Sequence, residues 1–428
     1  MTLFTSITHL HTFQNVYLKH GRKVTADDLV SLEDAFMLVD QRGQVSWTGT
    51  RLEWNEYAAG RTPAWRRKIK KVPLRGQTVL PAFTECHTHL LYAGSRADEF
   101  ERRNRGDSYL AIAEAGGGIR STVKATAAAT LKELEAGVLS RLQEFARQGV
   151  TTVEIKTGYA ATLAEEMRHL KLLVAIRKKA SRVSSGLPRV VLTCLAAHSI
   201  PEGETETNWL EKVETLFPFL LREGIRLDIF IEKGAFSLVA GRSLLRKAVA
   251  KGLKLAVHAD QLSLSGGTSL GVELGALSVD HVIEIGDAEI RKLARSETVA
   301  VLLPAADLYT RLPYPKARAM IDHGVRVALA TDHNPGSSPG LDVAFTGLLA
   351  RACMQMTLPE VLAAYTVNAS HAVLAESKDA GGVLAKGHRA DFICLRSGAA
   401  LSDLFYEVGP NRSHAAIQSV WRSGVRIV

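Results

Sequence analysis

The sequence predicts an α/β chain in which a (β/α)8 barrel of the TIM type is flanked by a small β-sandwich formed by both termini. Three observations predict it. Strand-like and helix-like segments alternate through the middle of the chain, and about eight strands over roughly 250 residues is the rhythm of such a barrel. Several of those strands are near-continuous β-branched runs, as expected for parallel strands buried on both faces. Both ends carry short β segments that do not look like the middle. A doubly wound open sheet is the rival, but it would need fewer strands, and no Gly-x-Gly-x-x-Gly follows the first one.

Taken in order, residues from Phe13 to about Gly76 read as short strands with turns, and Phe36–Trp47 reads as a hairpin around a Gly-containing turn. The barrel strands are expected at Thr78–Pro81, Thr151–Ile155, Arg189–Leu195, Leu227–Ile231, Lys254–Val257, Ser278–Ile283, Val299–Leu303 and Arg326–Ala330. Helical patterns lie between them. The clearest is Leu163–Ala180, with Leu163, Met167, Leu170 and Val174 on one stripe. Gly116–Gly118 lacks the lysine and hydroxyl of a phosphate cradle and reads as a flexible loop or lid. Gly382–Leu384, Arg389–Leu395 and Ala416–Val428 return to β character. The expected units are 1–77 and 376–428, together the sandwich, and 78–375, the barrel.

Composition narrows the function classes. The hydrophobic fraction of 46% supports one large domain with an appendage. No apolar run is long enough to span a membrane, and the N-terminus lacks a secretory pattern. The four cysteines are scattered, with no Cys-x-x-Cys pair, which fits a reduced, cytoplasmic protein. The net charge of +9 raises the question of nucleic acid, and Arg66–Lys71 is the densest basic run. No recognition motif or interleaved aromatic platform accompanies that run, so it reads as a solvated loop and no nucleic-acid partner is expected. A positive field can still draw in an anionic small substrate.

The chemistry collects where a barrel places it, at the C-terminal ends of the strands. The expected strands end in His87 and His89, in Glu154–Tyr159, in His198, in Glu232–Lys233, in His258–Gln261, in Asp280–His281 and in Thr331–Gly336. One such histidine, His198 for example, could be a satisfied core residue, but packing alone does not explain this many polar ends on one rim. His87 and His89 sit two positions apart, so a single strand end can aim both at one ion. With His258 and Asp332 they supply three imidazoles and a carboxylate, a set that suits one divalent ion, zinc or iron, with room for a water. Cys86 and His333, each next to a ligand in sequence, are expected to face away from the metal.

These segments resemble the amidohydrolase superfamily and, within it, the imidazolonepropionase family. The likeness runs over nearly the whole chain. It is carried by His87-Thr-His89, Ala93–Phe100, Ser108–Ile119, Thr151–Tyr159, Glu232–Phe236, His258–Leu262 and Asp332–Pro339. It implies a barrel of the amidohydrolase type and hydrolysis of the small molecule 4-imidazolone-5-propanoate to N-formimidoyl-L-glutamate in histidine degradation. It also implies one zinc or iron on His87, His89, His258 and Asp332, and family habit points to a homodimer. It places Arg96, Tyr159, His198, Gln261, Asn334, Gly336 and Ser337 around the substrate. In the expected reaction a metal-activated water attacks the ring carbonyl, His281 or His198 donates to the oxyanion, Asp332 carries the proton to the leaving nitrogen, and Gln261 positions substrate or water. The alternative is a related amidohydrolase acting on another cyclic amide or amidine. The chain departs from the family pattern at Ser337, where threonine is more usual, at Ala160, and in Pro304–Pro315, which looks shorter and less aromatic than expected.

Overall fold

A computed structural model describes residues 1–107, 116–375, 380–408 and 416–428. The N-terminal segment supplies strands β1 (Thr2–His11), β2 (Ser31–Val39), β3 (Val45–Thr50), β4 (Lys70–Pro73) and β5 (Thr78–Pro81). The middle supplies β6 (Phe83–Glu85), β7 (Val150–Lys156), β8 (Arg189–Ala197), β9 (Arg226–Ile231), β10 (Ala256–Ala259), β11 (Ser278–His281), β12 (Val299–Leu302) and β13 (Val327–Leu329). The C-terminal segment supplies β14 (Phe392–Leu395), β15 (Ile417–Arg422) and β16 (Val425–Arg426). Strands β6 to β13 pair with their sequence neighbours, and every pairing is parallel. The strands from both termini form one mixed sheet in the order β16-β15-β14-β5-β1-β2-β3, with β4 alongside β1.

The barrel strands are short and buried along nearly their whole length, and the helices between them cover the outer face. The first and last barrel strands share no ladder. Their seam is closed by a single bridge between Thr88 and His333, by His89 N–H donating to the His333 carbonyl at 2.9 Å, and by the buried Glu85 carboxyl. Glu85 accepts from the backbone N–H of His87 and of Thr331, each at 3.1 Å. One side chain thus fixes the strand ends that carry His87 and Asp332.

Three expectations are corrected. Thr78–Pro81 is not the first barrel strand: it pairs with β1 and β14 in the terminal sheet, and the barrel begins at β6. A four-residue run buried on both sides reads the same in either sheet, and only the partners decide. The helix expected at Leu163–Ala180 spans Leu163–Ser181, capped by the Thr162 hydroxyl, but its deepest face runs through Leu170, Leu173, Ile176 and Ala180. Leu163, Met167 and Val174 are only partly buried. The N-terminal region also holds more than short strands and turns. Strand β1 precedes Phe13, and the helices Arg51–Ala59 and Pro63–Arg67 pack Trp54 and Trp65 beside Trp47 and Tyr57. The hairpin forms as β2 and β3, with Leu38 opposite Trp47. The segment after β12 starts as a helix, Pro304–Thr310. Among the described residues no helix is long and apolar enough to cross a membrane.

Candidate metal centre and substrate cleft

The strand ends bring His87, His89, His258, His281 and Asp332 together. Asp332 Oδ1 lies 3.4 Å from His87 Nε2 and 3.3 Å from His89 Nε2. The His87 and His258 rings are 4.6 Å apart, and His281 stands 5.5 Å from His258. Asp332 and His281 adopt φ of 52° and 77°. Such left-handed backbone is unfavourable for residues bearing a Cβ and collects at functional sites.

The surrounding carboxylates orient the imidazoles. Asp280 accepts from His87 Nδ1 at 2.7 Å, and Asp228 from His258 Nδ1 at 3.1 Å. A carboxylate can only accept here, so both Nδ1 atoms carry the proton and both Nε2 lone pairs point at the shared centre. Among the described residues His87 Nε2, His258 Nε2 and Asp332 Oδ1 are buried and make no hydrogen bond. Buried polar atoms without a partner are costly; with His89 Nε2, 3.3 Å from Asp332 Oδ1, they make three nitrogens and one carboxylate oxygen, a set that suits a divalent transition metal. The centre also attracts positive charge. Against burial and Lys156, which oppose it, the Asp280 and Asp332 carboxylates flanking His87 favour a cation at this point.

Beneath these side chains lies a layer of buried charge. Lys156 Nζ is 2.8 Å from Asp228, 3.1 Å from Glu154 and 3.5 Å from Asp280, and all four side chains are fully buried. Arg226 joins them through Glu154 at 3.1 Å. Burial alone would raise Asp228 and Asp280, but His258 and Lys156 hold the first, and Lys156 and His87 the second, below the usual carboxylate range. The available signal was polar residues inside otherwise apolar barrel strands: Glu154 and Lys156 in β7, Asp228 in β9 and Asp280 in β11.

A cleft of about 680 Å³, its open mouth included, lies over the centre and is lined by Arg96, Tyr159, His198, Gln261, His281, Asn334 and Ser337, among others. His198 stacks on His89 with ring centres 5.2 Å apart, and its Nδ1 meets the Gly158 carbonyl at 3.3 Å. Gly336 does not line the cleft but forms a floor under Arg96, where a Cβ would collide with the guanidinium. The turn after Asp332 is closed on itself: Asn334 Oδ1 accepts both the Gly336 and the Ser337 N–H at 2.8 Å. Gly336 and Ser337 were expected around the substrate; their amides are satisfied within the turn, so the Ser337 hydroxyl is the donor left at that position. His333 turns away to Tyr92 Oη at 2.9 Å, and the Cys86 thiol turns to the Leu329 carbonyl. Of the segment Ser108–Ile119, residues 108–115 lie outside the described residues.

Comparison with known proteins fits this geometry. The amidohydrolase family model matches residues 78–427. An imidazolonepropionase of Bdellovibrio bacteriovorus is 46% identical over 95% of this chain and 93% of its own length. Those of Deinococcus deserti and Pseudomonas putida are 37% and 39% identical, over 100% and 89% of this chain and 99% and 91% of their own. Among solved structures, an adenosine deaminase from Xanthomonas campestris with bound zinc superposes with a TM-score of 0.70 at 16% identity, covering 99% of this chain and 92% of that one. An atrazine chlorohydrolase from Arthrobacter aurescens, complexed with zinc and atraton, gives 0.65 at 16% identity, covering 100% and 95%. At such identities the structural likeness speaks for the fold alone. The sequence relatives go further, and the chain belongs to the amidohydrolase family and, within it, to the imidazolonepropionases, hydrolases of cyclic amides.

Proposed function

We propose that this cleft hydrolyses the cyclic amide of 4-imidazolone-5-propanoate to N-formimidoyl-L-glutamate, with His87, His89, His258 and Asp332 holding one zinc or iron ion. The observation that carries the reading is the cluster of buried, unpartnered His87 Nε2, His258 Nε2 and Asp332 Oδ1 atoms beside a cleft that Arg96 also lines. When bound, such an ion supplies a water with its pKa lowered to about 7 and polarises the carbonyl. The scattered free cysteines support a reduced, cytoplasmic setting, and the family resemblance supports a homodimer.

The chain's own groups divide the remaining work. Burial would raise the Asp332 carboxyl, but the His87 and His89 imidazoles beside it hold it well below the usual range. It is therefore ionised, and its place beside the ligand imidazoles gives it the role of carrying a proton from water to the leaving ring nitrogen. His281 is kept neutral by burial, at about 3. Its Nδ1 has no hydrogen-bond partner among the described residues, so a neutral ring there can offer an N–H to the developing oxyanion. His198 is also kept neutral by burial. Its Nδ1 faces the Gly158 carbonyl, an acceptor, so its proton sits there and Nε2 accepts. This separates the two histidines: His281 donates to the oxyanion, and His198 accepts a ring N–H. Arg96 takes the propionate carboxylate, while Tyr159, Gln261 and the Ser337 hydroxyl orient the ring.

The test is turnover of freshly generated 4-imidazolone-5-propanoate, with metal measured on the same sample. Turnover with about one zinc or iron per chain is expected. Metal without turnover would move the substrate to another cyclic amide or amidine.

A further inference from the structure

We propose that Glu99 is a positioning residue for carboxylate recognition: it fixes the Arg96 guanidinium in the cleft and ties it to the start of the helix Ile119–Ala128. This rests on the reading of Arg96 as the partner of the substrate carboxylate. Glu99 lies on the helix Ala97–Asn104, one turn beyond Arg96, and is only 8% exposed. Its two oxygens serve different elements. Oε2 accepts from Arg96 Nε at 2.8 Å, while Oε1 accepts from Gly118 N–H and from the Ser121 hydroxyl, each at 2.9 Å. Ile119, the first residue of the second helix, lines the same cleft as Arg96. One buried carboxylate therefore sets both the arginine and the neighbouring wall.

The geometry of the guanidinium gives this its consequence. Arginine presents a planar fork, and a carboxylate can engage it along the Nε edge or at the Nη end. Glu99 occupies the Nε edge. Gly336 lies against the face of the group with no room for a Cβ, and its carbonyl is held by Arg103 Nη2 at 3.1 Å. The Nη end has no protein acceptor among the described residues. A substrate carboxylate is left one edge and one orientation. A glutamine at position 99 cannot reproduce this, because its amide must turn a donor toward either Arg96 or Gly118.

The experiment measures kcat and KM for the wild type, Glu99→Gln and Arg96→Met on two substrates: 4-imidazolone-5-propanoate and its propionamide counterpart, which lacks the carboxylate charge. The expectation is that Glu99→Gln loses on the order of 10-fold in kcat/KM on the carboxylate substrate, mainly through KM. The amide substrate should change by less than about twofold. A merely structural role lowers both substrates together and overturns the inference, as does an unchanged or strengthened carboxylate preference. If Arg96→Met keeps the wild-type preference, the reading of Arg96 itself fails, an outcome distinct from failure of Glu99. If Glu99→Gln does not fold, Glu99→Asp, which keeps the charge but withdraws it by one methylene, must show the same selective loss.

Discussion

The two sheets of this molecule bury opposite things. The core of the terminal sheet is apolar, with Phe4, Ile7, Met37 and Phe392 fully buried, Trp421 stacked on Phe392 at 5.5 Å, and Phe4 edge-on to both rings. The barrel, at the same depth, buries Lys156, Glu154, Asp228 and Asp280. Taking an ion out of water costs several kcal/mol even in a relaxed protein, and a sheet that only had to be stable would not contain four of them. The terminal sheet does bury a charge at Arg422, but that guanidinium caps barrel carbonyls, Ala180 at 2.7 Å and Ser181 at 2.9 Å, and joins the two units. Buried charge under the strand ends orients the His87 and His258 rings, whereas Arg422 fastens the terminal sheet to the barrel.

The sharpest way to break this contrast is at the centre. Asp332→Asn should lower kcat on the order of 10²–10⁴-fold while circular dichroism shows the fold unchanged. Next comes a pair of variants. Asp280→Ala should weaken metal retention about 10- to 100-fold in competition with a chelator, because His87 loses the group that orients it. Phe392→Ala should cost about 3–5 kcal/mol in denaturant unfolding and leave metal content per folded chain unchanged. If Phe392→Ala also strips the metal, the two regions are not separable in the way argued. A smaller effect is expected beneath Arg96: Gly336→Ala should raise KM on the order of 10-fold by displacing its guanidinium, with kcat less affected. The smallest is a matter of pH. Burial holds His169, on the Leu163–Ser181 helix, at about 4 against an ordinary value of 6.5. The unfolded chain then binds more protons between those values. Stability is full above about pH 6.5 and declines toward pH 4, by about 1–3 kcal/mol from this residue. His169→Leu should flatten that decline in unfolding curves measured across the range.

The parts of the site that read well from sequence are those carried by local pattern. The spacing of His87 and His89 allows one strand end to aim both the same way, and the structure brings their rings together; the barrel rhythm tells where a strand end must sit. Asp332 and His258 follow from that placement. What could not be read depends on pairing or on side-chain direction. Thr78–Pro81 looks like a barrel strand until its neighbours are known. Strand β1 escapes because its register shifts between Phe4 and Ile7, which interrupts the alternation. The buried stripe of Leu163–Ser181 includes Glu166 and His169, which a search for apolar periodicity skips. Asp228 sits in an apolar run, and its role appears only when His258 and Lys156 are found on either side of it. The closed turn at Asn334–Ser337 is likewise a matter of where one side-chain oxygen points.

The most direct test of the central claim is to remove all metal with a chelator, confirm that the chain remains folded, and titrate zinc or iron back while following hydrolysis of 4-imidazolone-5-propanoate. The account predicts no turnover without metal and a linear return that breaks at about one ion per chain. Full turnover in the metal-free protein, or a break at about two ions, would contradict it.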